Sequence, residues 1–358
     1  MKIKKITIST VTIPLNTTFK TALRSVSVME NVLVCVHTEC GLTGLGGAAP
    51  TPVISGETTR SIQGAVEHIA EYITGMDVLA TEQLLTRLNQ CMVGNSAAKS
   101  AVDMAIYDIL GKYRQTSVSG LLGGITGSIE TDITISLNPV QQMAEEAERK
   151  AAEGFSILKI KVGGEPKQDL ARLTAISRAA GDDVLLRLDA NQGWSPKQAV
   201  WVGREIERQN LPVELMEQPV AAGDTAGLKF VRDHVAMPVY ADESVFSPQD
   251  AMELLGRNAV DGINIKLPKC GGIYNAVKIA ALAESAGVPC MVGSMMESAV
   301  SVSAAAHFAA SRAVVQKYDL DAPLFCSFQP VPGGISYDGP AVHLPEGPGL
   351  GLEPDGKI

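Results

Sequence analysis

The chain has 358 residues, of which 46% are hydrophobic and 19% charged, a composition typical of a globular protein with a large buried core. Its formal net charge of −9 argues against binding to nucleic acid or to an anionic membrane surface. The chain contains no apolar run long enough to span a bilayer, and its basic start is followed by an alternating pattern unlike a signal peptide. At this length we expect two domains, or one large barrel with an addition.

The cysteines and histidines do not form recognisable sites. The six cysteines are scattered without a CxxC pair, which favours reduced thiols in a cytoplasmic protein over disulfides or a zinc site. The five histidines are equally scattered, and packing roles are the better interpretation for them. No Ser-His-Asp or Cys-His arrangement can be recognised, which leaves the carboxylates and lysines as the candidate catalytic groups.

Residues 1–125 predict an α+β domain. Period-two patterns predict strands at 2–13, 31–37 and 42–47. Helical periodicity follows at about 59–74, 81–91 and 97–114. Little periodicity is present near 16–28 and 48–58, and we expect these two segments to form lid loops.

From residue 131 the pattern changes to short apolar runs separated by helical segments. The runs are 133–136, 157–161, 184–189, 213–217, 239–242, 263–266, 290–293 and 315–319. Eight βα repeats predict a closed parallel barrel over 126–325, and an open doubly wound sheet is the alternative. The barrel is favoured because no Rossmann glycine fingerprint opens the segment. The Pro- and Gly-rich residues 326–358 are expected to return to the first domain.

Three consecutive runs end in a carboxylate. These residues are Asp189, Glu217 and Asp242, and the carboxyl ends of barrel strands build the active site in such folds. Three converging carboxylates would repel one another unless a cation lay between them, and hard oxygen ligands suit Mg²⁺. The alternative is that each acid caps the following helix or pairs with a surface lysine.

Lysines flank the three acidic runs. Lys159 and Lys161 alternate on one strand and therefore share a face, while Lys266 ends the run that follows Asp242. A buried lysine near other cations has a lowered pKa and can act as a base. Two lysines on opposite sides of one carbon could remove a proton from one face and return it on the other, as in a racemase or epimerase. Structural ion pairing with the acids is the alternative.

Five motifs together resemble the enolase superfamily, muconate-lactonising subgroup. They are Lys159-Ile160-Lys161, Asp189-Ala190-Asn191, Glu217-Gln218-Pro219, Ala241-Asp242-Glu243-Ser244 and Lys266-Leu267-Pro268-Lys269-Cys270-Gly271-Gly272. The resemblance implies a capping domain followed by a modified (β/α)₇β barrel, and homo-oligomers are common among such proteins. It also implies one Mg²⁺ per subunit on the three acids, with Asn191 and Glu243 beside them. Lys161 and Lys266 would then be the acid/base pair, with Lys159 tuning Lys161.

Further segments resemble dipeptide epimerases of this superfamily. Asp319-Leu320-Asp321 resembles the eighth-strand motif whose two aspartates hold the α-ammonium of the substrate. Residues 19–24 resemble the lid of L-Ala-D/L-Glu epimerases, in which an arginine, here Arg24, meets the glutamyl carboxylate. Residues 293–298 resemble the seventh-strand loop, so Met296 and Glu297 are expected at the site. Gly47 stands where relatives commonly have a glutamate, so we expect different lid contacts there, with consequences for the substrate more than for the chemistry.

These patterns predict a Mg²⁺-dependent dipeptide epimerase that inverts the α-carbon of the C-terminal residue through an enediolate. L-Ala-D/L-Glu is the best single substrate, and such an activity would fit recycling of peptidoglycan peptides in the cytoplasm. The alternatives on the same scaffold are N-acylamino acid racemase, o-succinylbenzoate synthase and muconate cycloisomerase. Their substrates carry no free ammonium, which would leave Asp319 and Asp321 without a purpose. A non-catalytic binding protein is disfavoured because no metal or lysine position is lost.

Overall fold

A computed structural model describes residues 1–124 and 127–353. The chain begins with three antiparallel strands, paired in chain order, and four helices. These elements are β1 (Ile3–Lys20), β2 (Ser25–Thr38), β3 (Thr43–Ala48), α1 (Thr59–Ile73), α2 (Thr81–Gln90), α3 (Ser96–Arg114) and α4 (Val118–Leu121). In the part of the chain that is described, no helix combines the length and the apolar character needed to cross a membrane.

The hairpin of β1 and β2 is longer than the sequence predicts. The expectation of a loop over 16–28 is wrong, because β1 runs to Lys20, β2 starts at Ser25, and only 21–24 form the turn. Main-chain groups build the ladder, so it continues through Phe19 paired with Val26 although the side chains there do not alternate. A register shift between Pro14 and Phe19 interrupts the period and explains the missing pattern. Residues 49–58 contain no strand and no helix.

A short strand, β4 (Ser128–Glu130), precedes eight parallel strands that alternate with helices. In chain order they are β5 (Ile133–Ile135), α5 (Val140–Ala152), β6 (Ile157–Lys161), α6 (Pro166–Ala180), β7 (Leu185–Asp189), α7 (Pro196–Gln209), β8 (Val213–Glu217), α8 (Thr225–Arg232), β9 (Val239–Ala241), α9 (Pro248–Gly256), β10 (Gly262–Ile265), α10 (Leu267–Cys270), α11 (Ile273–Ser285), β11 (Cys290–Gly293), α12 (Ala299–Ala309) and β12 (Val315–Asp319). The amide of Asp132 donates to the carbonyl of Tyr318 at 3.2 Å and joins the two outermost strands. The predicted (β/α)₇β fold is confirmed.

The barrel helices start where the sequence places capping residues. Ser195 and Ser247 accept hydrogen bonds from the third helical amide of α7 and α9, and each is followed by a proline at the first helical position. Proline has no amide proton to satisfy there, so the first turn loses nothing. The capped helix starts mark where the loops that follow β7 and β9 end and the helices begin.

After β12 the chain adds the hairpin β13 (Ser336–Asp338) and β14 (Ala341–His343), which pairs with β4. The amide of Ser327 donates to the carbonyl of Pro14 at 3.0 Å, so this segment touches β1. The buried carboxylate of Asp108 on α3 accepts the amides of Leu45 at 2.9 Å and Leu350 at 2.8 Å. One side chain therefore connects β3, α3 and the C-terminal segment. The domain boundaries at 125 and 325 stay a prediction.

Strand β3 packs directly on the backbone of α3 because it carries glycines. A Cβ at Gly44 would lie 2.0 Å from the carbonyl oxygen of Ala105, and one at Gly46 would lie 1.9 Å from that of Ala101. A Cβ at Gly47 would instead lie 3.5 Å from the side chain of Val300, an ordinary contact distance. A side chain would therefore clash with α3 at Gly44 and Gly46 but could be accommodated at Gly47.

We expect Gly46→Ala to lower the free energy of unfolding by about 1–3 kcal/mol, because the added methyl group forces β3 away from α3. Gly47→Ala is the matched control and should change it by less than about 1 kcal/mol. Urea unfolding followed by circular dichroism measures both variants. Equal losses would contradict the close-packing argument.

Candidate active site

The carboxyl ends of the barrel strands bring three acids together. Strand register pairs Lys161 with Asp189 and Asp189 with Glu217, and Asp242 directly follows β9. The three side chains are at most 1% exposed, and one oxygen from each lies within 4.8 Å of the others. The acids that the sequence places at consecutive strand ends thus form one cluster that could hold a metal ion.

The donor atoms and the charge of this cluster fit a divalent cation. Burial acts to raise the pKa of Asp189, but Lys161 and Lys159 outweigh it and hold that pKa below its usual range. Burial and the neighbouring Asp189 raise the pKa of Glu217 to about 7. Oε2 of Glu217 lies 2.7 Å from Nζ of Lys159, and Oδ1 of Asp242 lies 2.5 Å from Nζ of Lys269; neither oxygen has another hydrogen-bond partner among the described residues. An all-carboxylate set is the donor set that Mg²⁺ prefers.

Lys159 lies at the centre of the carboxylates. Its Nζ is 2.6 Å from Oδ2 of Asp319, 2.7 Å from Oε2 of Glu217 and 3.2 Å from Oδ2 of Asp189. Burial alone would lower the pKa of Lys159, but Asp319 and Glu217 raise it well above its ordinary value. The residue is 1% exposed and is a permanent positive charge inside the barrel.

Lys161 and Lys266 contact different acids and line the same cavity. Nζ of Lys161 is 2.5 Å from Oδ2 of Asp189, and Nζ of Lys266 is 2.9 Å from Oδ2 of Asp242. Both line a cavity between the barrel mouth and the lid, which consists of residues 19–24 at the end of the β1–β2 hairpin and residues 53–54. A Cβ at Gly293 would lie 2.9 Å from Cε of Lys266, so a glycine on β11 leaves room for this side chain. Two amines reaching one cavity from different strands can serve as a proton donor and a proton acceptor.

The pair Asp319 and Asp321 also lines the cavity. Asp319 contacts Lys159, whereas Oδ2 of Asp321 accepts the amide of Thr134 at 2.6 Å. Burial and the neighbouring Asp319 raise the pKa of Asp321 to about 6. These two carboxylates lie close together, and the Lys159 ammonium group separates them from the metal cluster. They make this side of the cavity negatively charged.

The lid contributes Arg24, which lines the cavity together with Phe19. Its guanidinium makes no ion pair or side-chain hydrogen bond within the described chain, and burial lowers its pKa. Met296 lines the cavity, but Glu297 does not. The carboxylate of Glu297 turns back to accept the amide of Met295 at 2.8 Å, and burial raises its pKa. Glu297 therefore lies behind the cavity wall, where it shapes the loop after β11.

Asn191 and Glu243 lie beside the metal cluster. The amide of Asn191 donates to Oδ1 of Asp189 at 2.9 Å, and its side chain donates to Oε1 of Glu243 at 3.1 Å. Burial, and then Asp242, raise the pKa of Glu243 to about 8. The two side chains link the loops after β7 and β9, which carry two of the three acids.

Three supporting residues were not predicted as part of the site. Oε1 of Gln218 accepts the amide of Asp242 at 2.9 Å, and Nδ2 of Asn264 donates to Oε1 of Glu217 at 2.6 Å. Lys269 on α10 is 2.5 Å from Oδ1 of Asp242. Gln218 and Lys269 stand inside two of the recognised motifs, and Asn264 is a polar residue two positions before Lys266 in a buried strand. Their places in the sequence were therefore the only indication that these residues could support the site.

A parallel barrel with a carboxylate triad, two lysines that line one cavity and a capping domain is the arrangement of an enolase-like enzyme fold. The family model for the enolase C-terminal domain-like fold matches residues 142–358. The model for the mandelate racemase / muconate lactonizing enzyme N-terminal domain matches residues 3–123. The chain therefore belongs to the mandelate racemase / muconate lactonizing enzyme branch of the enolase superfamily.

Several relatives are similar over nearly their whole length. The L-Ala-D/L-Glu epimerase of Clostridium acetobutylicum is 48% identical over 354 residues, which are 99% of each chain. The substrate-liganded L-Ala-D/L-Glu epimerase of Bacillus subtilis superposes with a TM-score of 0.98 at 44% identity, covering 99% of both chains. The dipeptide epimerase of Enterococcus faecalis V583, solved with Mg and L-Leu-L-Tyr, gives 0.96 at 40% identity, covering 99% of this chain and 100% of that one.

We expect Asn264→Leu to weaken binding of a divalent cation about 10- to 100-fold, because Glu217 loses the hydrogen bond that orients it. Titration with Mn²⁺ followed by electron paramagnetic resonance measures this without any turnover. Asn275→Leu is the control, since Asn275 donates to Asn89 and to the carbonyl of Cys270 but to no carboxylate. Equal affinities in the two variants would show that Asn264 does not orient the ligand.

Proposed function

We propose that this protein is a Mg²⁺-dependent dipeptide epimerase that inverts the α-carbon of the C-terminal residue. One observation carries the proposal: Lys161 and Lys266 line the same cavity as the pair Asp319 and Asp321. The lysines supply proton transfer, and the aspartates supply a site for a cationic substrate group. The similarity to enzymes named as dipeptide epimerases supports the same reaction.

The substrate is oriented by charges at both of its ends. Asp319 and Asp321 bind the α-ammonium of the N-terminal residue, because carboxylates accept charge-assisted hydrogen bonds from it. The C-terminal carboxylate lies toward Asp189, Glu217 and Asp242. These residues would hold Mg²⁺, which would stabilise the negative charge that develops on the substrate carboxylate as the α-proton leaves. The lid, with Phe19, excludes water from the reacting carbon.

Proton transfer uses the two lysines in turn. The amine of one lysine removes the α-proton from one face, and the ammonium of the other delivers a proton to the opposite face. The reverse reaction exchanges their roles. Lys159, held charged by its carboxylate neighbours, helps neutralise the enolate. Inversion at the α-carbon follows because the two amines reach the same cavity from different strands.

Arg24 favours a glutamyl residue at the C-terminal position, so L-Ala-D/L-Glu is the substrate that we propose. A guanidinium that lines the cavity without an ion pair of its own gains most from an anionic substrate side chain. N-acylamino acids and the substrates of cycloisomerases lack the ammonium group. They would leave Asp319 and Asp321 facing an uncharged group in a buried site, which is costly.

A screen of L,L-dipeptides in D₂O with Mg²⁺ tests the function directly. We expect deuterium at the C-terminal α-carbon of Ala-Glu-like dipeptides, detected by NMR or mass spectrometry. Uptake only with N-acylamino acids would move the assignment to a racemase, and no uptake with any dipeptide would refute an epimerase.

We expect Lys161→Met and Lys266→Met each to abolish epimerisation, since inversion needs both amines. Each single variant should still exchange the α-proton of one diastereomer, and the two variants should prefer opposite ones. Deuterium exchange with separate L,L- and L,D-dipeptides measures this. The same preference in both variants would show that the lysines do not serve opposite faces.

We expect Arg24→Met to lower kcat/KM for L-Ala-L-Glu about 10- to 100-fold, the usual consequence of losing a hydrogen bond to a charged group. The value for an uncharged dipeptide such as L-Ala-L-Leu should change little. Arg60→Met is the control, because Arg60 is an exposed arginine that does not line the cavity. A loss of similar size for both dipeptides would remove Arg24 from the specificity argument.

A further inference from the structure

The pair Asp319 and Asp321 lies at the seam where the two outermost barrel strands meet. The amide of Leu320 donates to Oγ1 of Thr131 at 2.8 Å, and Oδ2 of Asp321 accepts the amide of Thr134 at 2.6 Å. The amide of Asp132 donates to the carbonyl of Tyr318. Residues 131–134 therefore hold the segment that carries both aspartates.

This seam contains a third carboxylate, which the sequence patterns do not indicate. Asp132 is fully buried, and one of its oxygens lies within 4.8 Å of oxygens from both Asp319 and Asp321. Oδ2 of Asp132 accepts a hydrogen bond from Nη1 of Arg187 at 2.9 Å. Its other oxygen, Oδ1, is buried and has no hydrogen-bond partner among the residues that the structure describes.

The cations near these three carboxylates are shared with other acids. Lys159 contacts Asp319 but also Glu217 of the metal cluster. Arg187 contacts Asp132 but also Glu214, through Nε at 2.7 Å. The cluster therefore carries more negative potential than its own side chains compensate, and a further cation would relieve it.

We propose that Asp132 is a positioning residue of the ammonium site: it acts through Asp319 and Asp321 to make the site select substrates with a free amino group. The proposal rests on the proposed function. Asp132 does not line the cavity, so it acts on the ammonium group through charge and through the two aspartates that it supports. Primary amines are the favoured ligand class, and N-acylated or deaminated analogues are disfavoured.

The test is Asp132→Asn, which removes the charge, keeps the size and leaves Arg187 paired with Glu214. We expect KM for L-Ala-L-Glu to rise about 5- to 20-fold, the effect of one buried charge a few ångströms away. The inhibition constant of N-propionyl-L-Glu, which has the same shape but no amino group, should stay the same or fall. We expect kcat to change less than about threefold, because the lysines and metal ligands are untouched.

If Asp132→Asn only damaged the fold, the kinetic constants would change in a different way. KM and the inhibition constant do not depend on the folded fraction, so partial unfolding would lower only the apparent kcat. Lys317→Met is the matched control, since Lys317 pairs with Glu214 at the other end of the same ion network. It should leave the ratio of KM to the inhibition constant unchanged. Asp132→Glu, which keeps the charge, should retain most of the preference for the amino group.

The outcomes separate the two proposals. If the wild-type enzyme exchanges no dipeptide α-proton, the proposed function fails before this inference is reached. If the wild-type enzyme does exchange the α-proton, and Asp132→Asn keeps the wild-type ratio of KM to the inhibition constant, the inference alone is overturned. If the asparagine variant does not fold, Asp132→Ser removes the same charge with less bulk and must give the same shift in ratio. Failure of both neutral variants to fold, with Asp132→Glu folded and unchanged in ratio, would make Asp132 a residue of stability and overturn the inference.

Discussion

The arrangement of charges at the catalytic end of the barrel depends on the ion pairs of the buried Lys159 ammonium group. This group contacts carboxylates from β7, β8 and β12, namely those of Asp189, Glu217 and Asp319. Removing several carboxylates from water is costly unless a cation compensates them, and removing one partner of such a group leaves an unpaired buried charge. A single lysine thus joins the metal cluster to the proposed ammonium site.

The capping domain also fixes the lysine side of the barrel. Asp103 on α3 accepts the amides of Ile273 at 2.6 Å and Tyr274 at 3.3 Å, at the start of α11. A Cβ at Gly272 would lie 2.3 Å from Cγ of Asp103, so only a glycine lets the helix end approach so closely. The chain between β10 and α11 carries Lys266 and is therefore held by both domains. The same domain supplies Phe19, whose ring centre lies 5.8 Å from Nζ of Lys161.

The sequence pattern within each βα repeat was enough to predict the site residues that lie at the ends of strands. Asp189, Glu217 and Asp242 end buried strands, and the pitch of the βα repeat places consecutive strand ends side by side. The hairpin through residues 16–28 was missed because main-chain pairing, not side-chain alternation, continues it. Asp132 was missed for another reason. It meets Asp319 only because the barrel closes, and closure joins the first and last strands across the whole length of the domain.

Closure also divides the recognition of the substrate between rigid and variable parts. The proposed ammonium site lies at the seam, with Asp319 at the end of β12 and Asp321 just after it, where hydrogen bonds join residues 131–134 to residues 318–321. Arg24 instead lies in the turn at 21–24, between β1 and β2. Loops tolerate substitution better than packed strands do. Under the proposed function, the requirement for a free amino group is therefore built into the barrel, whereas the preferred C-terminal side chain can change through the turn at 21–24 without altering the lysines or the metal cluster.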